Sequence, residues 1–220
     1  MDKREILSKV DHTLLRVDST WDEIKGLIDD AIRYQTASVC IPPSFVKRGK
    51  EYAAGRMAIC TVIGFPNGYN TTACKVFETK DAIANGADEV DMVINVGLLR
   101  DKDYDAVEAE IRALKEAAGD KILKVIVETC LLTEEEKVKI CELITAAGAD
   151  FIKTSTGFST GGATLEDVKL FKEHVGPNVR IKASAGVNTM EQGAAFIEAG
   201  ASRLGTSRLV KAVKAEEAAK

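Results

Sequence analysis

The sequence alternates. Short runs rich in β-branched and apolar residues are each followed by an amphipathic helical pattern, and the alternation continues almost to the end of the 220 residues. The strand candidates are residues 11–15, 37–42, 58–65, 89–96, 123–129, 150–156, 180–185 and 202–206, eight in all. Strands separated by helix-length segments predict βαβ units and a parallel sheet. A small repeat ties three of the units together. "ANGADEVDMV", "AAGADFIKTS" and "EAGASRLGTS" each carry a glycine at a helix end, then alanine, then a strand. Gly86, Gly148 and Gly200 therefore read as the glycines at which the chain turns out of a helix. Helix starts are marked as well, by "STWDEI", by "TEEEK" with Thr133 three residues before Glu136, and by "TLEDV" with Thr164 three before Asp167. One joint used repeatedly argues for one architecture. Eight such units predict an α/β fold, a (β/α)8 TIM barrel, with residues 1–220 as a single barrel domain. A doubly wound open sheet is the structural alternative. It usually carries a glycine-rich loop after its first strand, and here that position reads "RVDSTWDE".

The totals narrow the functional classes. A net charge of −4 argues against a nucleic-acid surface. No apolar run approaches the roughly 18 residues of a membrane span. The N-terminus, "MDKREILSKVDHTLL", lacks a signal-peptide core, and the five cysteines show no metal-ligand spacing. The expectation is a cytoplasmic protein with reduced thiols, without a structural zinc site, and without a nucleic-acid or membrane partner. His12 reads as structural, because no partner base or nucleophile accompanies it.

The chemistry lies in what the strands bury. Alternate residues of a barrel strand face the interior. In strand four, Val90, Met92 and Ile94 suit the helix layer, which turns Glu89, Asp91, Val93 and Asn95 inward. By the same alternation Lys124, Ile126 and Glu128 face in from strand five, Phe151, Lys153 and Ser155 from strand six, and Lys182 and Ser184 from strand seven. Four strands thus aim charge at one interior. A buried charge is costly unless paired, so a structural ion-pair network is one reading of each residue alone. Lys124 and Glu128 are expected to form such a pair, ordering the barrel floor. Convergence of four strands favours a site. Two lysines together have a specific use. Apolar surroundings and a second cation favour the neutral amine, and bringing a lysine from about 10.4 to about 7 needs about 4 to 5 kcal/mol of differential interaction. A neutral amine attacks a carbonyl to form a Schiff base, and Asp91 would serve as the acid/base of the following step.

In order along the chain, "DHTLL", "VCIPP", "GADEVDMVINVG", "KVIVET", "GADFIKTSTGF", "IKASAGV" and "RLGTS" resemble deoxyribose-phosphate aldolase, a class I aldolase family, from Asp11 to about Leu209. The resemblance implies a (β/α)8 barrel that reversibly cleaves 2-deoxy-D-ribose 5-phosphate to D-glyceraldehyde 3-phosphate and acetaldehyde, without a cofactor. It implies Lys153 as the Schiff-base lysine, Lys182 as the lysine that tunes it, and Asp91 as the acid/base. Asp11 and Thr13 match polar residues at the substrate end, and Cys40 matches a pocket cysteine, although a small packing residue is the plainer reading of Cys40. The phosphate would be held by backbone amides at Gly157, Gly186, Gly205 and Ser207. Where some members carry a lysine or an arginine near the phosphate, this chain has Phe158 and Asn188, and Arg208 is the cation left to compensate. The family also implies a homo-oligomer, dimer or tetramer. The alternatives are another phosphate-handling barrel enzyme, such as an isomerase or a different Schiff-base aldolase, and a non-catalytic anion-binding barrel.

Overall fold

The computed structural model describes residues 1–219 of the chain. Eight parallel strands close into a barrel in sequence order, each next to its chain neighbour, with β8 hydrogen-bonded to β1. They are β1 (Val10–Thr13), β2 (Ser38–Cys40), β3 (Ile59–Ile63), β4 (Glu89–Val93), β5 (Ile122–Ile126), β6 (Phe151–Lys153), β7 (Arg180–Ser184) and β8 (Arg203–Thr206). The helices are α1 (Lys3–Leu7), α2 (Trp21–Tyr34), α3 (Val46–Ala53), α4 (Thr72–Ala84), α5 (Val96–Arg100), α6 (Tyr104–Ala118), α7 (Glu134–Ala147), α8 (Leu165–His174), α9 (Met190–Ala199) and α10 (Arg208–Ala218).

All eight strand candidates form, and all but β8, which ends with its run at Thr206, end earlier than their apolar runs. The surplus residues at the C-terminal ends leave the ladder to build the loops above the barrel. Asn95 illustrates this: it does not face inward, and its side chain caps α5 by accepting from the Leu98 amide at 3.3 Å. Capping boxes start α2 (Thr20 with Glu23), α7 (Thr133 with Glu136) and α9 (Thr189 with Gln192). Thr164 caps α8 through the Asp167 amide at 3.0 Å. The repeated helix-exit glycines all adopt positive φ, 100° at Gly86, 76° at Gly148 and 130° at Gly200. A side chain there would strain the turn that returns each helix to its strand.

Two layers of packing result. The outward residues Val90, Met92, Ile94, Val125, Ile152 and Ile181 join the main core between sheet and helices. Inside the barrel the apolar cluster is small, consisting of Cys40, Cys60 and Val62 with Leu15 and Phe65 against it. Apart from Val93, Ile126 and Phe151, the rest of the interior is largely charged. A further buried ion pair braces the site from outside the sheet. Lys75 of α4 meets Glu110 of α6 at 2.9 Å and also donates to the Val93 carbonyl at 2.9 Å, which fixes the end of β4.

Candidate active site

Period-two alternation places seven charged groups on the inner wall: Asp11 from β1, Glu89 and Asp91 from β4, Lys124 from β5, Lys153 from β6, Lys182 from β7 and Arg203 from β8. Neighbouring strands align them, with Asp91 beside Lys124, Lys153 beside Lys182, and Lys182 beside Arg203. Asp91 is the hub. Its Oδ2 accepts from Lys153 Nζ at 2.8 Å and from Lys182 Nζ at 2.7 Å, and its Oδ1 accepts from Lys124 Nζ at 2.8 Å and from Cys60 Sγ at 3.2 Å. Asp11 accepts from Lys182 Nζ, from Ser38 Oγ at 2.7 Å and from Arg203 Nη1 at 2.5 Å. Glu89 closes the bottom, 2.5 Å from Lys124 Nζ and 3.0 Å from Arg203.

The four cations are unequally held. Lys124 has carboxylate oxygens of three acids within 4 Å, Lys182 and Arg203 each have two, and Lys153 has Asp91 alone. Three carboxylates face four basic groups, so the cluster holds one basic group more than it has acids. Burial works against charge on Asp91, yet Lys124, Lys153 and Lys182 outweigh it and hold the carboxyl well below the usual carboxylate range. Asp11 is held below that range in the same way, by Lys182, Lys124 and Arg203 against the cost of burial. Burial also opposes the charge on Lys182, and Asp11 with Asp91 overcomes it, so this ammonium sits above the ordinary lysine range. Lys182 is therefore a permanent cation at neutral pH. The cysteines and acids Cys40, Cys60, Asp91, Asp11 and Glu89 approach closely enough to suggest metal ligation. Their carboxylates are already engaged by four cations in the same volume, which would repel a fifth.

Above this floor opens a cavity of about 750 Å³. Of the three lysines in the cluster, Lys153 is the one that lines it, and its side chain is 5% exposed. Asp91, Lys124 and Lys182 lie beneath. Thr13, Gly157, Gly186, Gly205, Ser207 and Arg208 all border the cavity. Asp11 does not: it is fully buried in the floor, with its carboxylate oxygens committed to Ser38, Arg203 and Lys182. Cys40 lies inside the barrel wall beside Cys60 and Val62 and is 1% exposed, a packing position.

The mouth repeats one backbone device. In the loop after β6, Thr156 Oγ1 accepts from the Phe158 amide at 3.1 Å. In the loop after β8, Thr206 Oγ1 accepts from the Arg208 amide at 3.0 Å and donates to the Val187 carbonyl at 2.7 Å. Each threonine ties down the amide two residues on. The intervening amides, those of Gly157 and Ser207, donate to no protein acceptor among the described residues, and the same holds for Gly186. Three free N–H groups at the rim form a concavity suited to an anion. Phe158 is 52% exposed and meets the Phe65 ring edge-on at 5.2 Å, so an apolar lip stands beside these amides.

The expected pair of Lys124 and Glu128 does not form. Lys124 turns to Asp91 and Glu89, while Glu128 lies past the end of β5 with φ 55° and accepts from Thr156. The alternation used for Glu128 had already ended at Ile126. Arg203 and Cys60 were not singled out in the sequence. Alternation applied to "SRLGTS" puts Arg203 inward with Gly205, so its signal was present. Cys60 offered none beyond an inward position. Ser184, inward as expected, carries a hydroxyl that is buried and without a protein partner, and it borders the cavity.

The whole chain matches known aldolases. The family model for DeoC/LacD family aldolases covers residues 5–212. The chain belongs to the DeoC/LacD aldolase family. It is 61% identical to the deoxyribose-phosphate aldolase of Clostridioides difficile (strain 630) over 214 residues, 97% of this chain and 98% of that protein. It is 59% identical to the deoxyribose-phosphate aldolase of Streptococcus pyogenes serotype M4 over 216 residues, 98% of this chain and 97% of that protein. Among solved structures it is similar to the tetrameric deoxyribose phosphate aldolase from Aeropyrum pernix, with a TM-score of 0.89 and 27% identity over 100% of this chain and 94% of that one. In this DeoC/LacD-family barrel, then, one amine opens upward from a floor of fixed charge toward a rim of free amides.

Proposed function

We propose that this aldolase reversibly cleaves 2-deoxy-D-ribose 5-phosphate to D-glyceraldehyde 3-phosphate and acetaldehyde through a Schiff base on Lys153. One observation carries the reading of the nucleophile. Lys153 is the cluster lysine that borders the cavity, and it shares Asp91 Oδ2 with a second lysine that is locked in the charged form. The permanent charge of Lys182 disfavours a second ammonium beside it, and the neutral amine is the nucleophilic form.

Each step then has a group within reach. The Lys153 amine adds to C1 of the open-chain sugar, and loss of water leaves an iminium. Asp91 takes the proton of the C3 hydroxyl directly or through one water, the C2–C3 bond breaks, and its electron pair passes into the iminium to give the enamine of acetaldehyde. Glyceraldehyde 3-phosphate leaves. The enamine takes a proton at C2, and water releases acetaldehyde from Lys153. The carboxylate that gives and takes the protons is the one both amines already contact. Lys124 and Cys60 hold its other oxygen, so Asp91 cannot rotate away from the lysines.

The phosphate fits the rim. The free amides of Gly157, Gly186 and Ser207, at the start of α10, supply the contacts, with Arg208 as the adjoining cation and Gly205 leaving room beside Ser184. A Cβ at Gly205 would lie 2.3 Å from Ser184 Oγ and 3.1 Å from Lys182 Cε, so only glycine keeps the passage from rim to floor open. The chain also functions as a homo-oligomer, dimer or tetramer, in this reading; exposed Tyr69 and Phe77 offer apolar surface, and light scattering gives the mass. The central test is borohydride reduction in the presence of deoxyribose 5-phosphate, followed by peptide mapping. The adduct belongs on Lys153; an adduct on Lys182 or Lys124 refutes the assignment.

A further inference from the structure

The feature least explained by the chemistry above is Glu128. It is 4% exposed, it stands in the left-handed region at φ 55°, and it makes no ion pair among the described residues. A non-glycine residue at such a φ is uncommon, and a buried carboxylate without a cation is costly. A chain seldom keeps both at one residue unless something local depends on it. The carboxylate makes two contacts, and both go to one residue of the rim. Its Oε1 accepts from the Thr156 amide at 3.2 Å and its Oε2 accepts from the Thr156 hydroxyl. With that hydroxyl's proton directed at Glu128, the oxygen is left to accept from the Phe158 amide at 3.1 Å. The amides on either side of Gly157 are therefore both taken, and the Gly157 amide alone faces the cavity.

The twin loop after β8 shows what is special here. Thr206 does the same with a backbone carbonyl, that of Val187, as its acceptor. The loop after β6 has no such carbonyl in the role, and the chain supplies a carboxylate instead. We infer that Glu128 is a positioning residue for the phosphate end of the site: it fixes the proton of the Thr156 hydroxyl and so presents the Gly157 amide to the anion. Its left-handed backbone is what brings the side chain from the end of β5 across to the β6 loop. The adjoining strand ends are bonded in the same sense, with the Val127 amide on the Lys153 carbonyl at 3.0 Å and the Thr129 amide on the Thr154 carbonyl at 2.9 Å. Glu128 acts on the loop that follows Lys153, not on the amine.

The inference rests on the amide reading of phosphate binding, and inorganic phosphate as a competitive inhibitor separates the two. In the wild type, phosphate must inhibit, and KM must be lower for deoxyribose 5-phosphate than for deoxyribose. If neither holds, the amide reading fails first and the role of Glu128 fails with it. Given both, Glu128→Gln and Thr156→Val should each raise KM for the phosphate ester and Ki for phosphate about 5- to 10-fold, the range for a lost charge-assisted hydrogen bond acting through a loop. KM for deoxyribose should move less than about 2-fold. Thr156→Ser, which keeps the hydroxyl, should lie close to the wild type. The double variant Glu128→Gln/Thr156→Val should be no worse than the worse single, because one chain of contacts is broken in either case. Glu128→Gly is the control for folding: glycine adopts the same φ without strain and lacks the carboxylate, so it should fold and keep the phosphate defect. Equal losses on both sugars, additive losses in the double variant, or an unchanged Ki in Glu128→Gly would overturn the inference.

Discussion

The floor and the mouth of this barrel solve the same problem, holding groups still for a reaction, by opposite means. The floor uses side-chain charge. Seven ionisable groups from six strands are packed so tightly that Asp91 and Lys182 have no exposed surface. The mouth uses backbone. Two threonines tie down the Phe158 and Arg208 amides and leave those of Gly157 and Ser207 free, and the one buried carboxylate involved, Glu128, acts through the loop. The difference follows from solvent. Charges are strong where water is excluded and weak where it is not, whereas an amide fixed by its loop keeps its direction in either place. Covalent chemistry sits on the floor and anion binding at the mouth for that reason.

The comparison is tested most sharply on the floor. Lys153→Ala should reduce turnover about 10,000-fold or more, the scale for loss of a covalent nucleophile, and should leave nothing to trap with borohydride. It should not destabilise the fold. Four basic groups face three carboxylates, Lys153 is the least held, and its removal leaves Asp91 with Lys124 and Lys182. An unchanged or raised melting temperature is expected, the pattern of a residue kept for function at some expense of stability. A marked fall in melting temperature would show that the excess cation is structural.

Asp91→Asn should do the reverse and cost about 3 to 5 kcal/mol, as when one partner of a buried ion pair is removed. Its pH dependence has a definite sign. In the wild type Asp91 and Asp11 are held below the carboxylate range, so their stabilisation is present above about pH 4 and is lost only as pH falls through their lower folded values. Lys182 and Lys124 are held above the lysine range, so theirs is present below about pH 10 and is lost as pH rises past their folded values. The contribution of these four groups should therefore be flat between about pH 5 and about pH 10, on top of a rise toward about pH 6.5 from His12, which burial pushes down to about 4. Without Asp91 the buried ammoniums lose their main partner, their folded values drop, and stability should climb with pH across that window. Thermal melts at several pH values check this.

How far the sequence reveals these regions follows the same division. The floor is legible because a strand has period two: a lysine in "FIKTS" or "IKASA" has only two faces to choose between, and an apolar neighbour decides which. Asp91, Lys124, Lys153 and Lys182 were all placed that way, and Arg203 could have been. Alternation fails where the ladder stops. Asn95 and Glu128 each lie two residues past the ends of β4 and β5, and their directions are set by a helix cap and by a left-handed backbone that no period encodes. The mouth is less legible still. That Thr156 and Thr206 play the same part depends on hydrogen bonds between loops of different strands, and the sequence gives only "TGF" and "TSR". The resemblance to a known family supplied the rim residues, and the pattern alone would not have.

Lys182→Met tests whether charge on the floor tunes the amine. Removing a cation beside Lys153 should favour the protonated amine, so the pH profile of borohydride trapping should move about one to two units alkaline, with a fall of about 10- to 100-fold in trapping rate at neutral pH. Arg203 still holds Asp11, so the fold should survive for the measurement. A profile that does not move would mean that Lys182 serves only to hold the carboxylates.

The smallest effect belongs to the mouth, and its size is itself the test. Arg208 borders the cavity, is exposed, and makes no ion pair among the described residues. If it were buried against the phosphate, Arg208→Ala would cost about 1.5 to 3 kcal/mol, or 10-fold and more in KM. An exposed cation is screened, and about 0.2 to 1 kcal/mol is the usual worth of such a contact. The expected rise in KM for deoxyribose 5-phosphate is therefore only about 2- to 5-fold at low salt, and it should fade as ionic strength rises. KM for deoxyribose should not respond, because that sugar has no anion to attract. The contrast with the amide loops is then direct: a defect at Arg208 should disappear in about 0.5 M salt, where the Debye length is a few ångströms, while a defect at Thr156 should persist there. A large, salt-resistant effect at Arg208 would mean that the mouth, like the floor, works by desolvated charge.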